Sequence, residues 1–321
     1  MKMINVTEKA MAEICGKLAI DEKGLEFIGG GREDSDGSVY TYNSNNCKMV
    51  LKILAIPENQ IEKLHSLEVR VRYANHLGKS GIKIAYPIKN QNGNLYETSI
   101  DNQHIYIAYV MEFCAGNSPE SHELTDELVH EWGKIIGKSH KASKTFLEGK
   151  MDSNFSIKEE LSFFINWCKE PIVKLAWAEM GSYLETLSKG QDDYGFIHND
   201  NHQRNILVSD KNITLIDFDV AGRQFFIQDI TTSAQGIMFD ITGGMLSPMR
   251  DVERLKRFLF SFINGYEKEN HLEDFWYKEL TTFINYRRLL LFTCLQNWLN
   301  TETELKNSFI ENIKNPPQIL L

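Results

Sequence analysis

Phe196-Ile197-His198-Asn199-Asp200-Asn201-His202-Gln203-Arg204-Asn205-Ile206-Leu207-Val208 is followed, after a polar turn, by Ile216-Asp217-Phe218-Asp219. An Asp five residues ahead of an Asn, then an apolar strand, then a second Asp between apolar residues, is a spacing that surrounds a transferring phosphoryl group with oxygen ligands. One carboxylate accepts the proton of an attacking hydroxyl, while an amide and another carboxylate hold the Mg²⁺ that neutralises the phosphate oxygens. Ser209-Asp210-Lys211-Asn212 reads as a hairpin turn, and the return strand Ile213 to Ile216 delivers Asp217. Asp and Asn also populate turns for conformational reasons alone. The apolar strand and the I-D-F run at hairpin distance are what make the chemical reading the stronger one.

These motifs resemble the aminoglycoside phosphotransferase and choline kinase family, small-molecule relatives of protein kinases. Its signatures run approximately H-[GN]-D-x-x-x-x-N-[IVL]-[IVL] and [IVL]-D-[FWL]-[DE] with a following Gly or Arg, here His198 to Leu207 and Ile216 to Gly222. The resemblance implies an α+β, bilobal protein-kinase-like fold. A small five-stranded N-terminal lobe with one helix would bind nucleotide at residues 1–113, and a larger, mainly helical C-terminal lobe would carry catalysis and substrate binding at 114–321. It further implies ATP and Mg²⁺ as cofactors, Asp200 as the catalytic carboxylate, Asn205 and Asp217 as metal ligands, and Asp219 as a neighbouring acid.

Other segments extend the resemblance. Leu25 to Tyr42 resembles the nucleotide-covering hairpin, with Gly30 and Gly31 at its glycine-bearing loop, and Met49 to Ile53 resembles the strand whose lysine, Lys52, contacts phosphates. Lys52 interrupts an apolar strand, where an unpaired ammonium is costly to bury. Glu68, sixteen residues later on a helical pattern, is the expected partner, with Glu62 the competitor. Tyr106 to Gly116 resembles the hinge whose backbone near Glu112 and Cys114 meets adenine. The loop tip departs from the pattern: Glu33, Asp34 and Asp36 stand where phosphate is cradled, so they are expected to point outward or cap the turn.

Composition fits two lobes: 321 residues, 42% hydrophobic and 25% charged. Residues 1–113 carry 13 basic and 14 acidic side chains and the remainder 22 and 30, so the net −9 resides almost wholly in the second part. That balance disfavours nucleic acid as a partner and is compatible with a cationic substrate. Glu267, Glu269, Glu273 and Asp274 are candidate acceptor-binding acids, weighed against a solvated helix terminus. Met1 to Ile20 interleaves charge with apolar residues at helical spacing, unlike a secretory segment, and Leu289 to Leu295 is too short to cross a bilayer. Five scattered cysteines, Cys15, Cys47, Cys114, Cys168 and Cys294, read as reduced thiols, giving a cytoplasmic expectation without membrane partners.

Periodicity predicts strands around Phe27, Val39, Val50, Ile84 to Pro87 and Tyr106 to Met111, with a helix from Glu58 to Leu77. Beyond Gly116 it predicts helices over Thr125 to Ser143, Ile157 to Leu187, Pro248 to Glu269 and Leu272 to Leu299, interrupted only by the Ile206 to Asp217 hairpin. Gly133 to Ser139 mimics a phosphate-binding loop but has three residues between its glycines where four are required. Gly133, Gly137 and His140 instead resemble a helix packed beneath the catalytic loop. His198 and His202 have metal-like i, i+4 spacing, but the flanking Gly195 and Ile206-Leu207-Val208 argue against the helix such a zinc site needs. They are expected to hydrogen-bond the loop and orient Asp200. Asn199 replaces the Arg that protein kinases place before their catalytic Asp, and Asp229 resembles a helix-capping Asp.

The resulting expectation is an ATP-dependent small-molecule kinase acting on a hydroxyl of an amino-bearing substrate, with aminoglycoside-type acceptors favoured. The alternatives are a metabolic kinase for choline, ethanolamine, a hydroxy amino acid or a sugar, or a catalytically silent nucleotide-binding scaffold.

Overall fold

Alternate residues of two long strands face opposite layers. β3 (Cys47–Pro57) and β5 (His104–Glu112) pair antiparallel from Met49–Glu112 to Pro57–His104. Met49, Leu51 and Ile53, with Tyr106, Ala108 and Val110, share a core with Ala10, Met11, Ile14 and Cys15 of α1 (Glu8–Leu18). Leu54, Ile107 and Tyr109 share a second core with Val71 of α2 (Glu62–Lys79). With β1 (Glu26–Gly29), β2 (Ser38–Ser44) and β4 (Glu97–Asp101), the sheet is five-stranded in the order β1-β2-β3-β5-β4. This is a computed structural model, and it describes residues 6–30, 37–148, 157–210, 212–319 and 321, with only the backbone of Glu62.

Two expectations for this part are corrected. It carries two α-helices where one was implied, because Thr7 caps α1 through its side chain and the helix buries an i, i+3, i+4 face. Ile84 to Pro87 is not a sheet strand and makes only isolated bridges, Ile84 to Leu215 and Pro87 to Met111. Pro87 has no N–H for a ladder. Glu97–Asp101 takes the edge instead, joined to β5 through Asn102 and Gln103 at φ 49° and 63°, the left-handed pair of a tight hairpin turn.

The chain divides into two compact units, Met1–Ala115 with Thr214–Asp219, and Gly116–Ile213 with Val220–Leu321. The second is α-rich. Thr125 caps α3 (Asp126–Ser143) by accepting the Leu128 N–H. The single helix expected over Ile157 to Leu187 is two, α4 (Ile157–Trp167) and α5 (Pro171–Thr186), because Pro171 can start a helix but not continue one. Next come α6 (Phe226–Ser233), α7 (Gln235–Asp240) and α8 (Val252–Tyr266). α9 (Asp274–Lys278) and α10 (Leu280–Leu299) split the expected Leu272 to Leu299 helix, and α11 (Thr303–Lys314) follows.

α3 and α8 approach closely. A Cβ on Gly133 would lie 1.9 Å from the Phe262 carbonyl oxygen, and one on Gly265 would lie 1.9 Å from that of His130. The glycines of α3 therefore admit the backbone of α8 at close range. β6 (Tyr194–Ile197) pairs with β9 (Gly222–Phe225), a small sheet that periodicity did not show. β7 (Ile206–Ser209) pairs with β8 (Asn212–Leu215), the expected hairpin, whose turn residue Lys211 lies outside the described residues.

Candidate active site

Within the first unit, Lys52 is the organising charge. Its side chain points to the α2 side of β3, is 7% exposed, and places Nζ 3.0 Å from Asp217 Oδ1 and 2.6 Å from Asp219 Oδ2. Tyr109 donates its hydroxyl to Asp219 Oδ1 at 3.2 Å. Burial alone would lower the lysine's pKa, but the Asp219 and Asp217 charges override it and hold Lys52 well above its ordinary range. Burial likewise raises Asp219, with Asp217 adding repulsion and Lys52 pulling the other way. Asp217 adopts φ 65°, a left-handed conformation that Asp tolerates better than most residues, while Phe218 packs edge-on against Tyr73 of α2.

The remaining first-unit candidates are placed as follows. Among the described residues, the carboxylates within 4 Å of Lys52 are Asp217 and Asp219, and not Glu68. Glu68 turns along its own helix to His65 at 3.9 Å and hydrogen-bonds Tyr96. A loop carboxylate delivered by β8 reaches the buried ammonium, and the sequence distance from Lys52 to α2 could not reveal that competition. The Glu62 side chain lies outside the described residues, as do Gly31 and the acidic tip Glu33, Asp34 and Asp36. Gly30 has φ 86°, and a Cβ there would sit 1.9 Å from the Gly37 carbonyl oxygen, so glycine is required where the loop leaves β1. Glu112 ends β5 opposite Met49, and the Cys114 thiol lies 3.7 Å from the Glu112 carbonyl oxygen.

Within the second unit, the loop after β6 is pinned from below. Asp229 on α6 is wholly buried and accepts the backbone N–H groups of His198 at 2.9 Å and Asn199 at 2.8 Å. Its carbonyl accepts the Asn201 side-chain amide, whose oxygen in turn receives the Trp132 indole N–H. His140 of α3 sits 3.1 Å from Asp229 through Nε2 and 3.0 Å from the Tyr266 hydroxyl through Nδ1. Asp229 thus holds the loop rather than capping its helix, since Phe225 is the N-cap of α6 and makes no side-chain cap. Asn199 has φ 67°, which explains why the motif admits Gly or Asn between His198 and Asp200.

Asp200 emerges from this pinned loop into a ring of donors. Its N–H reaches His198 Nδ1 at 3.3 Å, and the Asn205 amide donates to its carbonyl at 2.9 Å and to Oδ2 at 3.0 Å. His202 Nδ1 accepts the Arg204 N–H, so Nε2 carries the proton that faces Asp200 Oδ2 at 3.3 Å. Arg287 of α10 places Nη2 2.5 Å from Oδ1 and donates Nε to Gln235 at 2.6 Å. Burial pushes the Asp200 carboxyl up, but the Arg287 charge and the His202 and Arg287 hydrogen bonds outweigh it and hold the group well below the usual carboxylate range. Arg287 is the residue that the motifs missed. The signal available was the pair Arg287-Arg288 inside an otherwise apolar helix, where buried guanidinium groups demand partners.

The acidic group proposed for acceptor binding is not a free cluster. Glu267 accepts hydrogen bonds from the Tyr277 hydroxyl and the Leu272 N–H and pairs with His271, while Glu269 lies 3.6 Å from Lys138. Glu273 is the N-cap of α9. These acids build the turn between α8 and α9. Among the described residues no three His, Cys, Asp or Glu side chains form a ready-made metal cage.

The sequence pattern of the phosphotransferase enzyme family APH matches residues 25–267, most of the chain and all of the motifs above. The chain belongs to that family. Amicoumacin kinase of Bacillus subtilis (strain 168) is 25% identical to it over 336 residues, spanning 98% of this chain and 94% of the relative. Among solved structures, an amicoumacin kinase in complex with AMP-PNP, Ca²⁺ and Ami superposes with a TM-score of 0.77 at 21% identity, covering 94% of this chain and 90% of the other. A microcompartment-associated aminopropanol kinase follows at 0.69 and 17%, covering 95% and 97%. These likenesses establish the protein-kinase-like α+β fold, and the relatives are small-molecule kinases. As a family member the chain is a phosphotransferase.

Proposed function

We propose that the protein transfers the γ-phosphate of ATP, with Mg²⁺, to a hydroxyl of a small amino-bearing molecule. The observation that carries this reading is Asp200, a carboxylate kept ionised by Arg287 and His202 on a loop whose backbone is fixed by buried Asp229. A base that is to orient an alcohol and take its proton in flight must be deprotonated and immobile beforehand. Asp200 is accordingly the proposed base, and Arg287 and His202 act through it as positioning residues.

Lys52 is the proposed contact to the nucleotide phosphates, the Gly30 loop the proposed cover, and the backbone at Glu112 and Cys114 the proposed adenine contact. The 1–113 and 114–321 portions are read as the nucleotide and the catalytic, acceptor-binding lobes. The donor set fits Mg²⁺. Asp217 and Asp219 bring hard carboxylate oxygens together beside Lys52, and Mg²⁺ is commonly held by one or two carboxylates plus substrate phosphates rather than by an all-protein cage. Motif spacing makes Asn205 and Asp217 the proposed ligands. When bound, the ion neutralises phosphate charge as it moves onto the leaving oxygen. The scaffold reading loses ground because Lys52, Asp200, Asn205 and Asp217 are all retained.

Amicoumacin is the first acceptor to test, since the relative that spans 98% of the chain is named for it. Aminoglycosides, choline, ethanolamine and 1-amino-2-propanol follow, with a neutral sugar as comparison. The test measures ADP release and the phosphorylated product for each acceptor with ATP and Mg²⁺. Acceptor-dependent ADP release that vanishes in Asp200→Asn is expected. Release independent of every acceptor, or unaltered in that variant, overturns the reading.

A further inference from the structure

The residues of α10 at 287, 291, 294 and 298 recur at i, i+4, i+7 and i+11, and therefore share one face of the helix. The lower end of that face is fixed: Arg287 touches Asp200 at 2.5 Å. The opposite side is consumed by packing. Leu289, Phe292 and Leu299 are fully buried, Thr293 receives the Trp177 indole N–H, and Gln296 bridges the Trp167 carbonyl and the Lys169 N–H.

The upper part of the Arg287 face is uncharged and only partly covered. Leu291 is half-buried, Cys294 is exposed and Trp298 is 45% exposed, and no Asp, Glu, Lys or Arg occurs from Leu289 to Asn300. A solvent-facing helix surface normally carries charge, so an apolar stripe running away from a catalytic carboxylate asks for a ligand. Cys294 supports the continuity. Though its surface is open, burial of its surroundings raises the thiol to about 11, and the charges of Arg287 and Asp200 both reach it. By helical register the thiol stands about two turns beyond the guanidinium that touches Asp200.

We propose that Leu291, Cys294 and Trp298 form an acceptor subsite for an apolar, ring-sized portion of the substrate, starting one turn beyond Arg287. This rests on the kinase reading above and narrows its acceptor class. At about 1.5 Å per residue, Cys294 and Trp298 stand about 10 and 16 Å along the helix from Arg287. An amino alcohol placed at Asp200 leaves the stripe bare, and a polyhydroxylated amino sugar has nothing apolar to lay on it. A hydroxylated amine with an aromatic or aliphatic extension covers it.

The test compares 1-amino-2-propanol with N-benzyl-1-amino-2-propanol as acceptors for the wild type, Cys294→Trp, Trp298→Ala and the off-stripe control Phe163→Ala. Burying the ring is worth about 1.5–3 kcal/mol, so the benzylated acceptor is expected to have a KM about 10- to 100-fold lower in the wild type. Cys294→Trp and Trp298→Ala should remove at least tenfold of that advantage, read within each variant as the ratio of the KM values of the two acceptors. Phe163→Ala should change neither.

Intrinsic fluorescence titration with the benzylated amine, comparing wild type and Trp298→Phe, reads the subsite without turnover. Binding that is lost in Cys294→Trp keeps the subsite even where neither amine is phosphorylated, and the kinase reading is then decided by the acceptor panel above. Equal KM values together with no fluorescence change overturn the subsite. A change of molecular mass in Trp298→Ala by light scattering also overturns it, because the face would then be an interface between two copies of the chain.

Discussion

Two buried ion pairs in this protein solve opposite problems. In the first unit one ammonium, Lys52, faces two carboxylates, and burial, with the Asp217 charge adding to it, pushes Asp219 upward. In the second unit one carboxylate, Asp200, faces Arg287 and a histidine N–H, so its charge is matched and its pKa is driven down. The first arrangement sets two carboxylates side by side, while the second surrounds one carboxylate with partners that hold it ionised. The same residue type is thus given opposite electrostatic settings in the two units, by burial together with what neutralises it.

Removing a carboxylate from the first cluster should have the largest effect. Asp217→Ala is expected to abolish Mg²⁺-dependent turnover, a loss of about 10³-fold or more, since metal attraction is worth several kcal/mol in such transfers. Assays across a Mg²⁺ titration check it. Full activity at saturating metal would move the ligand role to Asp219 and blur the contrast.

Asp200→Asn should lower kcat by roughly 10²–10⁴-fold with ATP binding preserved, since proton handling alone is removed. ATP affinity by calorimetry beside single-turnover rates separates the two effects.

Arg287→Gln tests the matching of charge itself. Without the guanidinium, burial is opposed by His202 with no help from Arg287 and the Asp200 pKa rises, so the carboxylate is protonated at a higher pH than in the wild type. The acid limb of kcat/KM is expected to shift upward in pH, with a loss at neutral pH of about 10–100-fold. Arg287→Lys should restore part of it. A pH profile with an unmoved acid limb would show that Arg287 only packs.

The smallest effect lies beneath the loop. Burial keeps His140 below its ordinary pKa, partly offset by Asp229. The unfolded chain therefore takes up a proton first, near pH 6.5, and stability present above that value is lost as pH falls toward the folded pKa. Urea unfolding between pH 7.5 and pH 5 should show this slope, less than about 1.4 kcal/mol per pH unit, and His140→Gln should lack it.

Local rules carried the sequence far in some places and failed in others for identifiable reasons. The Asp200 to Asn205 spacing and the β7–β8 hairpin are local, and both were legible from turn and strand chemistry. The split between α4 and α5 was written in Pro171 and passed over because apolar periodicity runs through it. The β4 edge strand is short and polar, so it imitates a loop until it pairs with β5.

What the sequence alone determined is the inventory and its order: a lysine inside an apolar strand, the H-N-D loop with its Asn five residues on, the Asp of the I-D-F run, and the glycines of α3. What only the tertiary structure decided is the pairing. Asp217 and Asp219, not Glu68, meet Lys52 across more than 160 residues of chain, and Arg287 meets Asp200 across 87. Asp229 serves the loop instead of its own helix. Sequence patterns report preferences over the few residues that one helix turn or hairpin spans. Which of several equivalent carboxylates neutralises a buried cation depends on distances and desolvation that exist only once the chain has closed on itself.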